Sequence, residues 1–313
     1  MKKWISLLLA ALLFLSLAAC DRQETPAQTG DDPVQAGTPG GAATTQPTTE
    51  APTEPPITWM TFPAERVLTA QQYFVFNCET GEFLTLSGEE DERVYPASVT
   101  KLFTGYVANQ YIHPDKQITV DSAMDYVYPG SSVAELKRGN TVTARQLIEG
   151  MLLPSGNDAA YVLAIEAKGS PDAFVAEMNA QAALLGMTGS HFANPDGIHE
   201  EDHYMTFHDL ALLGMLALED PILMEYAAVA TDTVTISGET KQWKNTNALI
   251  HPDSEYYCPY AIGLKTGQTP SAGSCLLSAF EYQQTTYIIG VFGCPEVEDR
   301  FADTLQLFNA AIS

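Results

Sequence analysis

Basic residues are scarce in this chain. Its 313 residues carry 15 Lys and Arg against 39 Asp and Glu, a formal charge of −24. An excess of that sign excludes docking on nucleic-acid phosphates and electrostatic attraction to anionic lipid. Taken alone, the acidity reads as a solubility device. Cysteine is also rare: there are five, with no CxxC spacing among them, which excludes the usual structural zinc modules. The longest apolar run, Trp4–Leu17, has 14 residues, too few to span a bilayer as a helix.

The N-terminus is laid out as a leader. Lys2 and Lys3 precede the apolar run and Ala18-Ala19 come before Cys20, the pattern of a secretory signal over residues 1–19. Leu17-Ala18-Ala19-Cys20 also resembles the lipobox of bacterial lipoproteins, which implies cleavage before Cys20 and a lipid on that cysteine. An ordinary signal whose cleavage site adjoins a cysteine is the alternative. Asp21–Pro56 then holds eight Thr and seven Pro in 36 residues, no aromatic, and only Val34 as a large aliphatic. Too little apolar surface is present to offset the ordering entropy, so residues 20–56 read as a disordered linker. Its root-mean-square span as a flexible coil is roughly 30–36 Å. Loss of Lys2 and Lys3 leaves a mature charge of −26. Residues 57–313 remain as the folded part, long enough for a sizeable core.

Within that part, Tyr73–Asn77 and Phe83–Leu86 read as strands around a Glu-Thr-Gly-Glu turn. Pro96 marks a helix opening near Ser98 and running to Asn109. A helical middle follows: Ala144–Leu153, Asp158–Ala167, Pro171–Leu185 and Thr206–Leu218. Phe174, Met178, Ala182 and Leu185 recur there at helical spacing, a face for packing. Strands return at Tyr260–Lys265, Ser274–Glu281 and Thr286–Phe292, and Val297–Ala311 closes the chain as a helix. Strands at both ends of a helical middle predict an α+β fold: one antiparallel sheet flanked by helices, with an inserted helical subdomain. In an exported protein Cys78, Cys258, Cys275 and Cys294 permit three complete pairings. Cys275 and Cys294 flank a predicted hairpin and are best placed for a bridge, with free buried thiols as the alternative.

Three strings carry the chemistry: Ser98-Val99-Thr100-Lys101, Ser155-Gly156-Asn157 and Lys265-Thr266-Gly267. Ser98 and Lys101 are three apart on a helix and share a face. The lysine can deprotonate the serine only as a free amine, a state that burial or a second cation such as Lys265 favours. The helix start offers backbone N–H groups to a developing oxyanion. Ser155-Gly156-Asn157 reads as a tight loop between helices. There the Ser155 hydroxyl could relay a proton, while the Asn157 amide could hold a substrate peptide group and steady Lys101. Lys265-Thr266-Gly267 reads as the end of an apolar strand, offering an ammonium and a hydroxyl to a carboxylate. Gly267 permits a close approach of another chain to the backbone. Each string alone is commonplace. The mature chain has only seven lysines, however, and two fall in these strings. Their order and spacing point to acyl transfer through a serine ester.

These residues resemble the active-site signature of penicillin-recognising serine acyltransferases, above all the D-alanyl-D-alanine carboxypeptidases, the low-molecular-mass penicillin-binding proteins. The likeness covers roughly Thr69–Ser313. It includes Pro96-Ala97-Ser98-Val99-Thr100-Lys101, Pro154-Ser155-Gly156-Asn157-Asp158-Ala159-Ala160, Phe192-Ala193-Asn194-Pro195-Asp196-Gly197, and Gly263-Leu264-Lys265-Thr266-Gly267 with Ala272-Gly273 after it. The resemblance implies a β-lactamase/transpeptidase-like fold, with Ser98 as the acylated residue and Lys101 as general base. Ser155 and Asn157 would assist catalysis, while Lys265, Thr266, Gly267 and Gln268 would bind substrate. The oxyanion hole would use the N–H groups of Ser98 and Gln268. It implies peptidoglycan stem peptides as substrate, β-lactams as covalent inhibitors, an extracytoplasmic location, and no metal or organic cofactor. Two departures stand out. Gln268 replaces a frequent His or Tyr, and the chain ends soon after the closing helix. The added β-domain and amphipathic tail that anchor many relatives are therefore not expected, and a lipid on Cys20 would substitute.

Other readings share some of these features. A class A β-lactamase uses the same three-string logic, but its Glu-x-x-Leu-Asn string is not found. His199-Glu200-Glu201-Asp202-His203 matches the His-Glu-x-x-His of zinc proteases, which requires a helix. Asn194-Pro195-Asp196-Gly197 before it predicts a loop instead. A non-catalytic sensor of muropeptides or β-lactams is a further alternative, and the intact triplet argues against it.

Overall fold

The structure, a computed structural model, describes residues 67–313. The expected signal, Cys20 and the whole of the expected linker lie outside the described residues. The first hairpin pairs β1 (Gln72–Asn77) with β2 (Glu82–Leu86). A short strand β3 (Arg93–Val94) leads to a 3₁₀ turn, Ala97–Val99, that runs straight into α1 (Thr100–Asn109). Strands β4 (Gln117–Thr119) and β5 (Thr141–Thr143) frame a long connection. Then come α2 (Ala144–Leu152), α3 (Asn157–Lys168), α4 (Pro171–Leu184), β6 (Met205–Thr206), α5 (Phe207–Glu219) and α6 (Pro221–Ala227). A hairpin of β7 (Thr231–Ile236) and β8 (Glu239–Lys244) precedes β9 (Ala261–Thr269), β10 (Gly273–Tyr282), β11 (Thr285–Cys294) and α7 (Asp299–Ile312).

The main sheet has five antiparallel strands in the order β2-β1-β11-β10-β9. The first strand thus sits inside the sheet by pairing with the last, and β9 lies at an edge. Both faces of β10 and β11 are covered, which explains their nearly continuous apolar sequence. Phe308 of α7 stacks on Phe280 at 4.3 Å between ring centroids. Ile288 lies opposite Ala279, one residue from Phe280, and so faces the other way, under Gly214 of α5, where an added Cβ would come within 2.7 Å of it. The predicted α+β architecture, a helix-flanked sheet with a helical insert between its strands, is the one observed.

Local chemistry sets the helix starts. Thr143 and Gln146 form a reciprocal capping box at α2, satisfying two otherwise orphaned donors. Ser170 and Thr206 cap α4 and α5 through their hydroxyls. Asp220 accepts from two N–H groups at α6, where Pro221 takes the first helical position. Gly169 at φ +84 ends α3.

Two expectations change. Lys265-Thr266-Gly267 does not end its strand, because β9 continues to Thr269 in register with β10. The expected Cys275–Cys294 bridge is not formed, and Cys78, Cys258, Cys275 and Cys294 are all free thiols. Cys294 lies opposite Ser274, while Cys275 lies opposite Gly267 on the other neighbouring strand, beside an irregularity in the ladder. The hairpin is therefore offset by one residue from the register that would face the two thiols. Burial pushes Cys275 up to about 11 and Cys294 up to about 12, so both stay protonated.

Candidate active site

Pro96 and the 3₁₀ turn carry Ser98 to the head of α1, rather than α1 beginning at Ser98 itself. The preceding Ala97 is strained, at φ +48. Two glycines hold this turn. An added Cβ on Gly197 would lie 1.9 Å from the Ala97 carbonyl oxygen, and one on Gly267 would lie 3.0 Å from the Ser98 nitrogen. Only glycine permits such an approach. The close neighbour expected at Gly267 is thus the chain's own nucleophile turn.

Ser98 is half-buried and Lys101 is fully buried at 0% exposure. The Lys101 ammonium donates to Ser98 Oγ at 2.7 Å and to the backbone carbonyl of Asp196 at 2.7 Å. Burial pushes its pKa down to about 8, opposed by the charges of Asp196 and Asp158. Lys265, also buried, donates to the Thr266 carbonyl at 3.0 Å. Its pKa falls well below the ordinary value through burial and then through the charges of Lys101 and Arg300. Two ammonium groups that repel in a dry site titrate as a pair, and the second proton is held more weakly than the first. Burial thus brings the Lys101 amine within reach of deprotonation at mildly alkaline pH.

The other strings converge on this pair. Ser155 is buried at φ +62, Gly156 donates its N–H to the Gly150 carbonyl, and Asn157 donates to Ser132 and opens α3. The Asp158 carboxylate accepts from the N–H groups of Ala134 and Leu136, fastening the connection before β5 onto the loop. Thr246, which the sequence reading missed, links the second string to the third. Its N–H donates to Leu153, and its hydroxyl shares a 2.5 Å hydrogen bond with Thr266. Lys101 is steadied by the Asp196 carbonyl rather than by Asn157.

Arg300 was missed as well. From the first turn of α7 its guanidinium reaches under β9 and donates to the Gly267 carbonyl at 3.2 Å, while its buried Nε has no hydrogen-bond partner. A single arginine in a closing helix carries no local pattern, and only the pairing of β9 with its neighbours brings it here. Gln268, one residue on, is exposed at the rim.

The His199–His203 segment lies on irregular backbone, as Asn194-Pro195-Asp196-Gly197 predicts. His203 is buried, and its Nδ1 accepts from Ala193 N–H at 3.2 Å, which places the ring proton on Nε2. That N–H donates to Thr100 Oγ1 at 2.8 Å. Both ring nitrogens are committed, so neither has a lone pair for a metal. Among the described residues no cluster of His, Cys, Asp and Glu could hold a metal ion.

Comparison with known proteins agrees with this geometry. Residues 60–296 match the family model described as D-alanyl-D-alanine carboxypeptidase. The chain is 30% identical over 239 residues to the D-alanyl-D-alanine carboxypeptidase DacF of Bacillus subtilis, covering 75% of this chain and 60% of DacF. It is 32% identical over 251 residues to DacA of Escherichia coli, covering 77% of this chain and 60% of DacA. The crystal structure of the Streptomyces K15 DD-transpeptidase superimposes with a TM-score of 0.72 at 30% identity, over 79% of this chain and 98% of that one. The match thus spans about three fifths of the length of DacF and DacA, and nearly all of the Streptomyces fold.

Proposed function

The chain belongs to the D-alanyl-D-alanine carboxypeptidase family, and on that basis we propose that it removes the terminal D-alanine from peptidoglycan stem peptides. The observation that carries this reading is the Ser98 hydroxyl 2.7 Å from a fully buried lysine amine. Neutral Lys101 takes the Ser98 proton as Oγ attacks the penultimate carbonyl carbon. By the family resemblance, the oxyanion forms against the backbone N–H groups of Ser98 and Gln268. Lys101, with Ser155 as relay, returns the proton to the amine of the departing D-alanine, leaving an ester on Ser98. Water then hydrolyses the ester, with the same lysine as base.

The substrate carboxylate would sit against Lys265, Thr266 and the unpartnered Nε of Arg300. Strand β9, at the sheet edge, gives an extended peptide backbone a pairing surface, and the Asn157 amide is the further partner that the resemblance implies. β-Lactams, as mimics of the scissile dipeptide, would acylate the same hydroxyl. No helix among the described residues is long and apolar enough to cross a membrane. The proposed location is extracytoplasmic, with a lipid on Cys20 holding the enzyme to the membrane and residues 21–56 as its reach.

Labelling with a fluorescent penicillin tests the nucleophile: wild type should label and Ser98→Ala should not. Release of D-alanine from a pentapeptide separates a carboxypeptidase from a sensor, since acylation without release favours the sensor. Mass spectrometry of the mature N-terminus decides the lipid, and an unmodified Cys20 ends that part of the proposal.

A further inference from the structure

Asp196 occupies an unusual place. Its backbone carbonyl is the second hydrogen-bond acceptor of the Lys101 amine. Its side chain is 1% exposed, with Oδ1 accepting weakly from Ile198 N–H at 3.3 Å and Oδ2 without any partner. An unsatisfied buried carboxyl costs stability and calls for a function. The loop around it is over-determined. Asn194 accepts from Gly197 and donates to Ile198, Thr104 of α1 donates to the Pro195 carbonyl at 2.6 Å, and Gly197 is wedged against Ala97. The loop therefore fixes the carboxyl near Lys101 without a direct ion pair between them among the described residues.

We propose that Asp196 is the positioning residue for Lys101, fixing the amine through its carbonyl and stabilising the transient ammonium through its unpaired carboxylate. This rests on the acyl-transfer reading above. In the reaction the proton moves from Ser98 Oγ to Lys101 Nζ and then to the leaving nitrogen, while the carboxylate stays ionised and makes no covalent bond. Its contribution is a fixed negative charge in a dry site, where it acts strongly. The mutual influence is visible in both groups. Burial raises the Asp196 carboxyl above its ordinary range and the Lys101 charge opposes that rise, while the Asp196 charge opposes the burial that lowers Lys101. The other charged or titratable groups around the pair are Lys265 on β9, Asp158 and Tyr161 on α3, and Glu200 and His203 on the same loop. Of these, Asp158 is already committed to three N–H groups, and His203 is held neutral.

Asp196→Asn keeps the backbone carbonyl and an acceptor for Ile198 while removing the charge. The rate constant for acylation by penicillin is measured against pH in both proteins. Without the carboxylate, Lys101 loses its proton more readily, so the acidic limb should move to lower pH by roughly one unit. An unmoved limb, with the rate lowered equally at every pH, marks a merely structural role and overturns the inference. A wild type that does not react with penicillin would instead reject the acyl-transfer reading itself. If Asp196→Asn does not fold, infrared spectra of aspartate-labelled wild type and Lys101→Ala supply the reciprocal test. Loss of the lysine should bring a buried protonated carboxyl band at neutral pH. Identical spectra would overturn the inference.

Discussion

The Lys101 amine, from the first turn of α1, stands 2.7 Å from the Ser98 hydroxyl on the 3₁₀ turn that leads into it. A base in that position must shed its own proton before it can take another. Acylation should therefore rise with pH through a midpoint near 8, the value to which burial brings Lys101. A stopped-flow series with a chromogenic β-lactam reads this directly. A flat profile between pH 6 and pH 9 would count against Lys101 as the base.

Lys101→Arg keeps a cation at the same depth but one that does not deprotonate. Acylation should fall by about 10²- to 10⁴-fold, the usual worth of a general base. Acylation within a few fold of wild type would show that another group does the work.

Gly197→Ala places a methyl group against the Ala97 carbonyl at a backbone φ of +82. Strain and overpacking together should cost roughly 2–4 kcal/mol of unfolding free energy. Denaturant melts measure that loss, and acylation should drop with it because the displaced turn bears Ser98. A fully active, equally stable variant would refute the wedge.

His203 is buried in its neutral form, its pKa pushed down to about 4 by burial. The unfolded chain binds this proton near pH 6.5, so stability is complete above that value and is lost as pH falls towards 4. The expected loss is roughly 3 kcal/mol. His203→Gln should flatten that part of the stability profile. Melting curves at pH 7 and pH 4.5 that fall equally in both proteins would disprove it.

Glu149, at the inner face of α2, is buried at 3% exposure and its pKa is pushed up to about 8, first by burial and then by Asp232 of β7. The folded state holds this proton while the unfolded state releases it near pH 4.5, so stability falls as pH rises between those values. Glu149→Gln should raise the Tm at pH 7.5 by a few degrees and leave it unchanged at pH 4. A lower Tm at pH 7.5 would show that the carboxyl is needed there.

Much of this arrangement is legible in the chain because burial leaves a pattern. Strands β1, β10 and β11 read from their apolar runs, and α2 to α5 from helical spacing bounded by Thr143, Ser170-Pro171 and Thr206. The β7–β8 hairpin was not legible. Its residues alternate polar with polar, and mainly Val234, Ile236 and Trp243 are buried. The three strings announce Ser98, Lys101, Ser155, Asn157, Lys265 and Thr266. The parts that join them, Thr246, Arg300 and the Asp196 carbonyl, are single residues placed by tertiary contact, and no local spacing marks them. The strand end expected at Gly267 failed for a related reason: glycine here serves a close approach, and the ladder continues past it.

Strand order has one more effect, felt while the chain folds. Gln72–Asn77 pairs with Thr285–Cys294, so β1 gains its inner neighbour only when a segment far along the sequence has come back to it. Contacts of such long sequence separation slow folding. The turn that bears Ser98 lies against β9 of the same sheet, and so the hydroxyl gains its reactivity only once this distant pairing has formed.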